Sequence, residues 1–168
     1  MAPNSALDRL IAQVNDLQRR VRYLETVDPS TPSCLLTTLA AFSRASTTNY
    51  AQIPFDVEVR DRDDLHGTAG VKPRITVRQA GLYVVGGHVV FDKNPTGLRG
   101  LAIMQNGVQV ARHQHAAGDG EALTIASVFF AQGGEYFMLA AMQTSGGDLD
   151  VLQTAESPFF WAFKIAGG

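Results

Sequence analysis

A single cysteine, Cys34, stands in the whole chain of 168 residues. That excludes an internal disulfide and any cysteine-based metal cage. Positive charge is not in excess: 14 Lys and Arg face 16 Asp and Glu, a net charge of −2. A sequence-independent grip on nucleic acid needs a cationic footprint, so no nucleic-acid partner is expected. No apolar run approaches the roughly 18 residues of a membrane-spanning helix, and no membrane insertion is expected. The opening MAPNSALDRL has neither a basic n-region nor an apolar core, so no signal peptide is expected. Asn94 is followed by Pro95, and no other Asn has Ser or Thr two residues on, which leaves no glycosylation sequon. The chain also has no G-x-S-x-G elbow, no phosphate-binding loop, no dinucleotide fingerprint, no H-E-x-x-H and no collagen-type Gly repeat. These absences describe a protein without cofactor, made in a reducing compartment, that binds rather than catalyses.

What is present falls into two regions with different periods. Residues 1–27 read as one helix with a heptad stripe: Leu7, Val14 and Val21 at a, Leu10, Leu17 and Leu24 at d. The remaining faces carry Arg9, Gln13, Asp16, Arg19, Arg20 and Arg22. A stripe this narrow suits a coiled coil, because a helix docked on a globular core shows a broader apolar face. Asn4 or Ser5 can cap its start and Asp28-Pro29 ends it. Valine at a with leucine at d leans towards two strands. Against that, Arg20-Val21-Arg22-Tyr23-Leu24-Glu25 resembles the trimerisation motif of short three-stranded coiled coils. There Arg20 at g pairs with Glu25 at the next e position of a neighbouring helix. Such an exposed pair is worth about 0.2–1 kcal/mol, so it selects an oligomer more than it stabilises one. Three heptads are marginal alone, and the rest of the chain must supply most of the assembly energy.

Residues 28–34 read as a polar Pro/Ser linker, and residues 35–168 as an all-β head. Short β-type runs are expected near 35–44, 53–60, 73–79, 81–91, 98–105, 108–115, 121–131, 135–144 and 158–165. The clearest local signal is Asn106-Gly107 between LAIMQ and VQVAR, a pair that tolerates the positive φ angles of a type I′ hairpin turn. Asp119-Gly120 and Gly133-Gly134 punctuate later hairpins, and Gly146-Gly147 lies between strand candidates. Many short strands with no intervening helix mean a sandwich or barrel.

The stretch from Arg74 through Gly81-Leu82-Tyr83 to Phe91 resembles the centre of the C1q/TNF superfamily signature: an aromatic strand, a Gly-x-Tyr turn, then a long core strand. Ile75 stands where that signature usually has phenylalanine, and Val85 replaces another aromatic. Ala41-Phe42-Ser43, Phe55-Asp56, the hairpin Met104–Val110 and the closing Ser157-Pro-Phe-Phe-Trp-Ala-Phe163 extend the resemblance. It implies a ten-stranded jelly roll, assembled as a tight homotrimer, that recognises ligands. A short coiled coil joined directly to the head is similar to the layout of the phage branch of such proteins. The expectation is therefore a virion protein: a tail-fibre or receptor-binding head, or a capsid decoration, contacting other virion proteins or a host cell-surface receptor. The rival expectation is a bacterial C1q-like binding or adhesion module.

Two residue groups have metal-ligand chemistry. His113 and His115 sit two apart on an expected strand, so their side chains share a face; on a threefold axis they become six imidazoles, a metal or anion site. The plainer alternative is a pair of polar side chains on a solvated or interface face. Asp61, Asp63 and Asp64 offer hard oxygen ligands of the kind calcium takes. Interleaved Arg60 and Arg62 make a solvated charged loop the plainer reading. His88 is expected as a hydrogen-bonded interior or interface histidine. The aromatics Phe129, Phe130, Tyr136, Phe137, Phe159, Phe160, Trp161 and Phe163 are expected in the core and between subunits. An exposed ring at Trp161 or Tyr50 would instead suit a sugar platform.

Overall fold

A computed structural model describes residues 14, 31, 33–66, 73–118, 122–155 and 157–167. By compactness the chain divides into residues 1–31 and residues 32–168. In the first unit Val14 is helical and exposed. The other heptad and pairing residues, Leu7, Leu10, Leu17, Arg20, Val21, Leu24 and Glu25, lie outside the described residues.

The second unit is built from β-strands: β1 (Ser33–Thr37), β2 (Phe42–Arg44), β3 (Thr47–Gln52), β4 (Val57–Arg62), β5 (Ile75–Thr76), β6 (Gly81–Val90), β7 (Leu98–Gln105), β8 (Val108–Ala116), β9 (Ala122–Ala131), β10 (Tyr136–Gln143), β11 (Leu149–Val151) and β12 (Phe159–Gly167). One sheet has the order β4-β1-β12-β6-β9, the second β5-β10-β7-β8, and β11 pairs with β2. β3 lies against β10, where Ile53 N–H donates to Leu139 O at 3.0 Å. Chain neighbours are often not sheet neighbours, as in a jelly roll.

The alternation read from the sequence explains how the sheets pack. Along β6, Tyr83, Val85, Gly87 and Val89 are buried, while Leu82, Val84 and His88 point to the other face. Leu36, Leu123 and Phe160 join them from the same sheet; Leu101, Ile103, Phe137, Leu139 and Ala141 meet them from the opposite one. Phe55 stacks on Phe160 with centroids 5.4 Å apart, and Phe129 meets Phe137 at 5.7 Å. Asn106 and Gly107 both have positive φ, +51° and +82°, as a type I′ turn demands.

Several expected boundaries need correction. The run 35–44 is two strands, because residues 38–41 leave the sheet and Leu39 N–H is taken by Asp56 Oδ1. The run 53–60 is likewise broken: Pro54 has no N–H to give a ladder, and β4 starts at Val57. β1 opens at Ser33, inside the stretch read as linker. Neither β3 nor β11, the latter only three residues long, was expected. The split of 35–44 and the two unexpected strands give twelve described strands where the resemblance implied ten.

Candidate functional site

The two sheets differ in what covers their outer faces. On the four-stranded sheet, Gly100, Ala102, Ala140 and Met142 face outwards yet are buried. Tyr50 covers part of this face: its hydroxyl lies 2.5 Å from where a Cβ on Gly100 would stand. That ring is therefore no open platform, and burial raises its phenol pKa.

No described residue covers the outer face of the five-stranded sheet. The strand register sets its side chains in rows: Leu35, Trp161, Gly86 and Ala126; then Ser33, Phe163, Val84 and Val128; then Leu82 beside Phe130. Trp161 fits because Gly86 has no side chain; a Cβ there would lie 2.5 Å from the indole Cζ2. Phe130 keeps 52% of its surface exposed, Val128 51%, Ile165 50% and Phe163 40%. These are large apolar side chains on β9 and β12, the two strands that flank β6. Phe130, Phe163 and Trp161 lie on this face, whereas Phe137 and Phe160 are buried and Phe129 packs against the core.

Above these rows lies a fourth, Thr37, Phe159, His88 and Thr124. His88 is half-buried there, with Nδ1 2.8 Å from Thr124 Oγ1. His113 Nδ1 lies 3.0 Å from the carbonyl oxygen of the same Thr124. His115 Nδ1 lies 2.8 Å from Ala116 O, and the His113 and His115 rings have centroids 5.6 Å apart. The two histidines therefore do share one face of β8.

The acidic group is not a common cradle. Asp61 is the last residue but one of β4, and its carboxylate accepts the N–H groups of Leu65 and His66 at 2.9 and 2.8 Å, closing the turn. Asp63 and Asp64 take left-handed φ angles of 71° and 53° in that turn. Asp64 pairs with Arg78 at 2.9 Å, a partner 14 residues away that sequence proximity to Arg60 and Arg62 did not suggest. Among the described residues, no three His, Cys, Asp or Glu side chains converge as metal ligands.

Two groups were not expected from the sequence to be buried. His66 is buried with Nδ1 3.6 Å from Glu58 Oε2, and its Nε2 has no hydrogen-bond partner among the described residues. Cys34 is buried, and burial, then the Asp61 and Glu58 carboxylates, push its thiol pKa far up. A thiol that resists ionisation is a poor nucleophile. Only a solvent-exposure pattern can mark such positions, and strand alternation at residue 34 was hidden by the assumed linker.

With this geometry in hand, comparison with solved structures is informative. The chain superimposes on murine APRIL at pH 8.0 with a TM-score of 0.61 and 16% identity, over 80% of this chain and 99% of that one. It superimposes on Eiger TNF from S. frugiperda with a TM-score of 0.58 and 13% identity, over 83% and 95%. The head is a TNF-like jelly roll. At these identities the likeness is one of fold. No family model matches the sequence, and no curated protein matches it.

Proposed function

We propose that the chain is one subunit of a homotrimeric, non-enzymatic binding head carried on its N-terminal coiled coil. The observation that supports the trimer best is the apolar face, covered by no described residue, formed by Leu82, Val128, Trp161, Phe130, Phe163 and Ile165. Soluble monomers rarely expose a contiguous patch larger than a few hundred Å². A ring of three needs two different surfaces per subunit. Val108 and Val110, 66% and 40% exposed on the edge strand β8, offer apolar surface of a second kind. The heptad stripe, with Arg20 and Glu25 placed to pair between helices, adds a second trimerising element.

The biological setting we infer is a phage virion, as a tail-fibre or receptor-binding head or a capsid decoration. What supports it is the layout: a short heptad segment running straight into a TNF-like head, with no collagenous stalk between them. The residues facing solvent after assembly then meet a host receptor or a neighbouring virion protein. Electron microscopy of particles labelled with an antibody to the head tests the setting; labelling absent from intact particles overturns it.

Light scattering tests the assembly. The mass expected at micromolar concentration is near three times 18.1 kDa. A monomer or a dimer refutes the trimer. Phe163→Asp should release subunits, because a carboxylate buried without a partner costs several kcal/mol per site. Removing residues 1–27 should leave a folded head that still trimerises; a strictly monomeric head would make the coiled coil the assembly device.

A further inference from the structure

The Asn106-Gly107 pair makes the turn between β7 and β8, and it also carries a chemistry of its own. A side-chain amide that precedes glycine is open to attack by the next backbone nitrogen, because no Cβ shields that nitrogen. Of the five asparagines in the chain, only Asn106 precedes a glycine. Asn94 precedes Pro95, whose nitrogen carries no hydrogen and cannot close the ring. Asn106 and Gly107 are both exposed. A Cβ on Gly107 would meet only the Tyr136 hydroxyl, at 3.7 Å, so the turn is open on that side.

The fold holds the amide back from that attack. Asn106 Nδ2 donates to Glu135 Oε1 at 2.6 Å, and Asn106 Oδ1 accepts from Tyr136 N–H at 3.0 Å. The backbone N–H of Asn106 donates to Tyr136 O at 2.9 Å. Asn106 is thus tied by backbone and side chain to the entry of β10. Glu135 is fixed in turn: its Oε2 accepts from Gln132 N–H at 2.8 Å and from Gln105 Nε2 at 3.2 Å. Gln132 N–H first, and the Asn106 amide second, hold the Glu135 carboxyl below its usual 4.5. At neutral pH it is therefore a carboxylate that can only accept, and the Asn106 amide must present Nδ2 to it. Before Gly107 N can reach Asn106 Cγ, the amide must rotate and give up both side-chain bonds, one of them charge-assisted.

We propose that Asn106 is a spontaneous deamidation site held in check by Glu135. Gly107 N, losing its proton to base, bonds to Asn106 Cγ; the Cγ–Nδ2 bond breaks and ammonia leaves. Water then opens the five-membered imide at either carbonyl, giving aspartate or isoaspartate at this position. One water enters and one ammonia departs, with no oxidant and no enzyme. Either product damages the turn. Aspartate sets a second carboxylate where Nδ2 met Glu135. Isoaspartate lengthens the main chain by one methylene at a turn built on φ angles of +51° and +82°. Glu135 is a positioning residue: the closed hairpin keeps the amide away from Gly107 N, and local opening of the β7–β8 tip starts the reaction.

The test incubates the full-length protein at mildly alkaline pH, and peptide mapping by mass spectrometry follows conversion at residue 106. Protein unfolded in guanidinium should convert about tenfold faster than native wild type or more, since the native amide must first break a charge-assisted hydrogen bond. Glu135→Ala should approach the unfolded rate without denaturant. Glu135→Gln keeps an acceptor oxygen and should fall between wild type and Glu135→Ala. Leu36→Ala, which opens a cavity in the five-stranded sheet, should convert as slowly as wild type, and Asn94 should stay intact in every sample. Asn106→Asp should melt below wild type at neutral pH; an unchanged melting temperature refutes the damage to the turn. Equal conversion of native and unfolded wild type overturns the proposal. So does a Glu135→Ala rate equal to that of wild type, and so does equal acceleration by Leu36→Ala and Glu135→Ala, which would make global unfolding the route.

Discussion

Gly87 and Leu139 face each other across the sandwich, and replacing Gly87 measures how tightly the two sheets are fitted. Gly87 sits on the inner face of β6 in a row with Phe160 and Ile125. A Cβ there would lie 2.3 Å from Leu139 Cδ2 and 2.8 Å from Cδ1. Both methyls are buried, so the overlap is not relieved by swinging the side chain into solvent. Overpacking of this kind costs about 1–3 kcal/mol. Gly→Ala also restricts the unfolded chain, which returns about 0.4–1 kcal/mol. The net expectation for Gly87→Ala is a loss of about 1–2 kcal/mol. Leu139→Ala alone leaves a cavity and should cost about 2–5 kcal/mol. In the double variant the new methyl enters the vacated space, so its cost should fall short of the sum by about 1 kcal/mol or more. Urea unfolding of the four proteins at one fixed protein concentration gives the cycle. Additivity within about 0.5 kcal/mol would refute the claim that this contact limits the packing.

Gln143 is fully buried; its amide donates to Arg44 O and Gly147 O and accepts from Ser145 N–H, all at 2.7 Å. Gln143→Leu takes this partner from Arg44 O and Ser145 N–H and leaves Gly147 O with Ser145 Oγ, and should cost about 2 kcal/mol or more by denaturant titration; a loss below about 1 kcal/mol would mean that water replaces the amide. The Glu135 carboxyl pKa lies below its usual 4.5, chiefly because Gln132 N–H donates to it and then because Asn106 does. A depressed carboxylate pKa stabilises the fold above the unfolded value, and that stability is lost as pH falls below 4.5 through the lowered value. Wild type should therefore melt above Glu135→Gln at pH 7, and the two should converge near pH 3; parallel curves would refute the role. The Cys34 thiol should resist a thiol-specific reagent in the native protein and react on unfolding; rapid native labelling would contradict its burial.

How much of this was legible beforehand follows from the range of the forces involved. Period-two alternation and Asn106-Gly107 act over a few residues, so β6 to β10 were found with boundaries shifted by about one residue. β2 and β11 are three residues each and are held by one another across the fold. Nothing local marks such strands, and the first was merged into a longer run while the second was missed. The site residues divide in the same way. That His113 and His115 share a face follows from strand geometry alone. That Thr124 O and Ala116 O hold their Nδ1 atoms depends on how β9 and the end of β8 lie against them.

The sequence by itself determined that the chain changes from a heptad period to a strand period, that the second part is all-β, and which aromatics are its large apolar groups. Each is a property of neighbouring residues, governed by backbone sterics and by hydrophobicity along a single strand or helix. Tertiary structure alone decided which outer face is covered. Tyr50 closes one sheet over Gly100, while Trp161, Phe163, Val128 and Phe130 stand open on the other. It also decided that Asp61 closes a turn and that Asp64 meets Arg78. Those outcomes require segments far apart in the chain to be brought together, which depends on the sheet order β4-β1-β12-β6-β9 facing β5-β10-β7-β8. Local pattern carries no record of that order, because every strand with one apolar face can pack equally well until its neighbours are chosen.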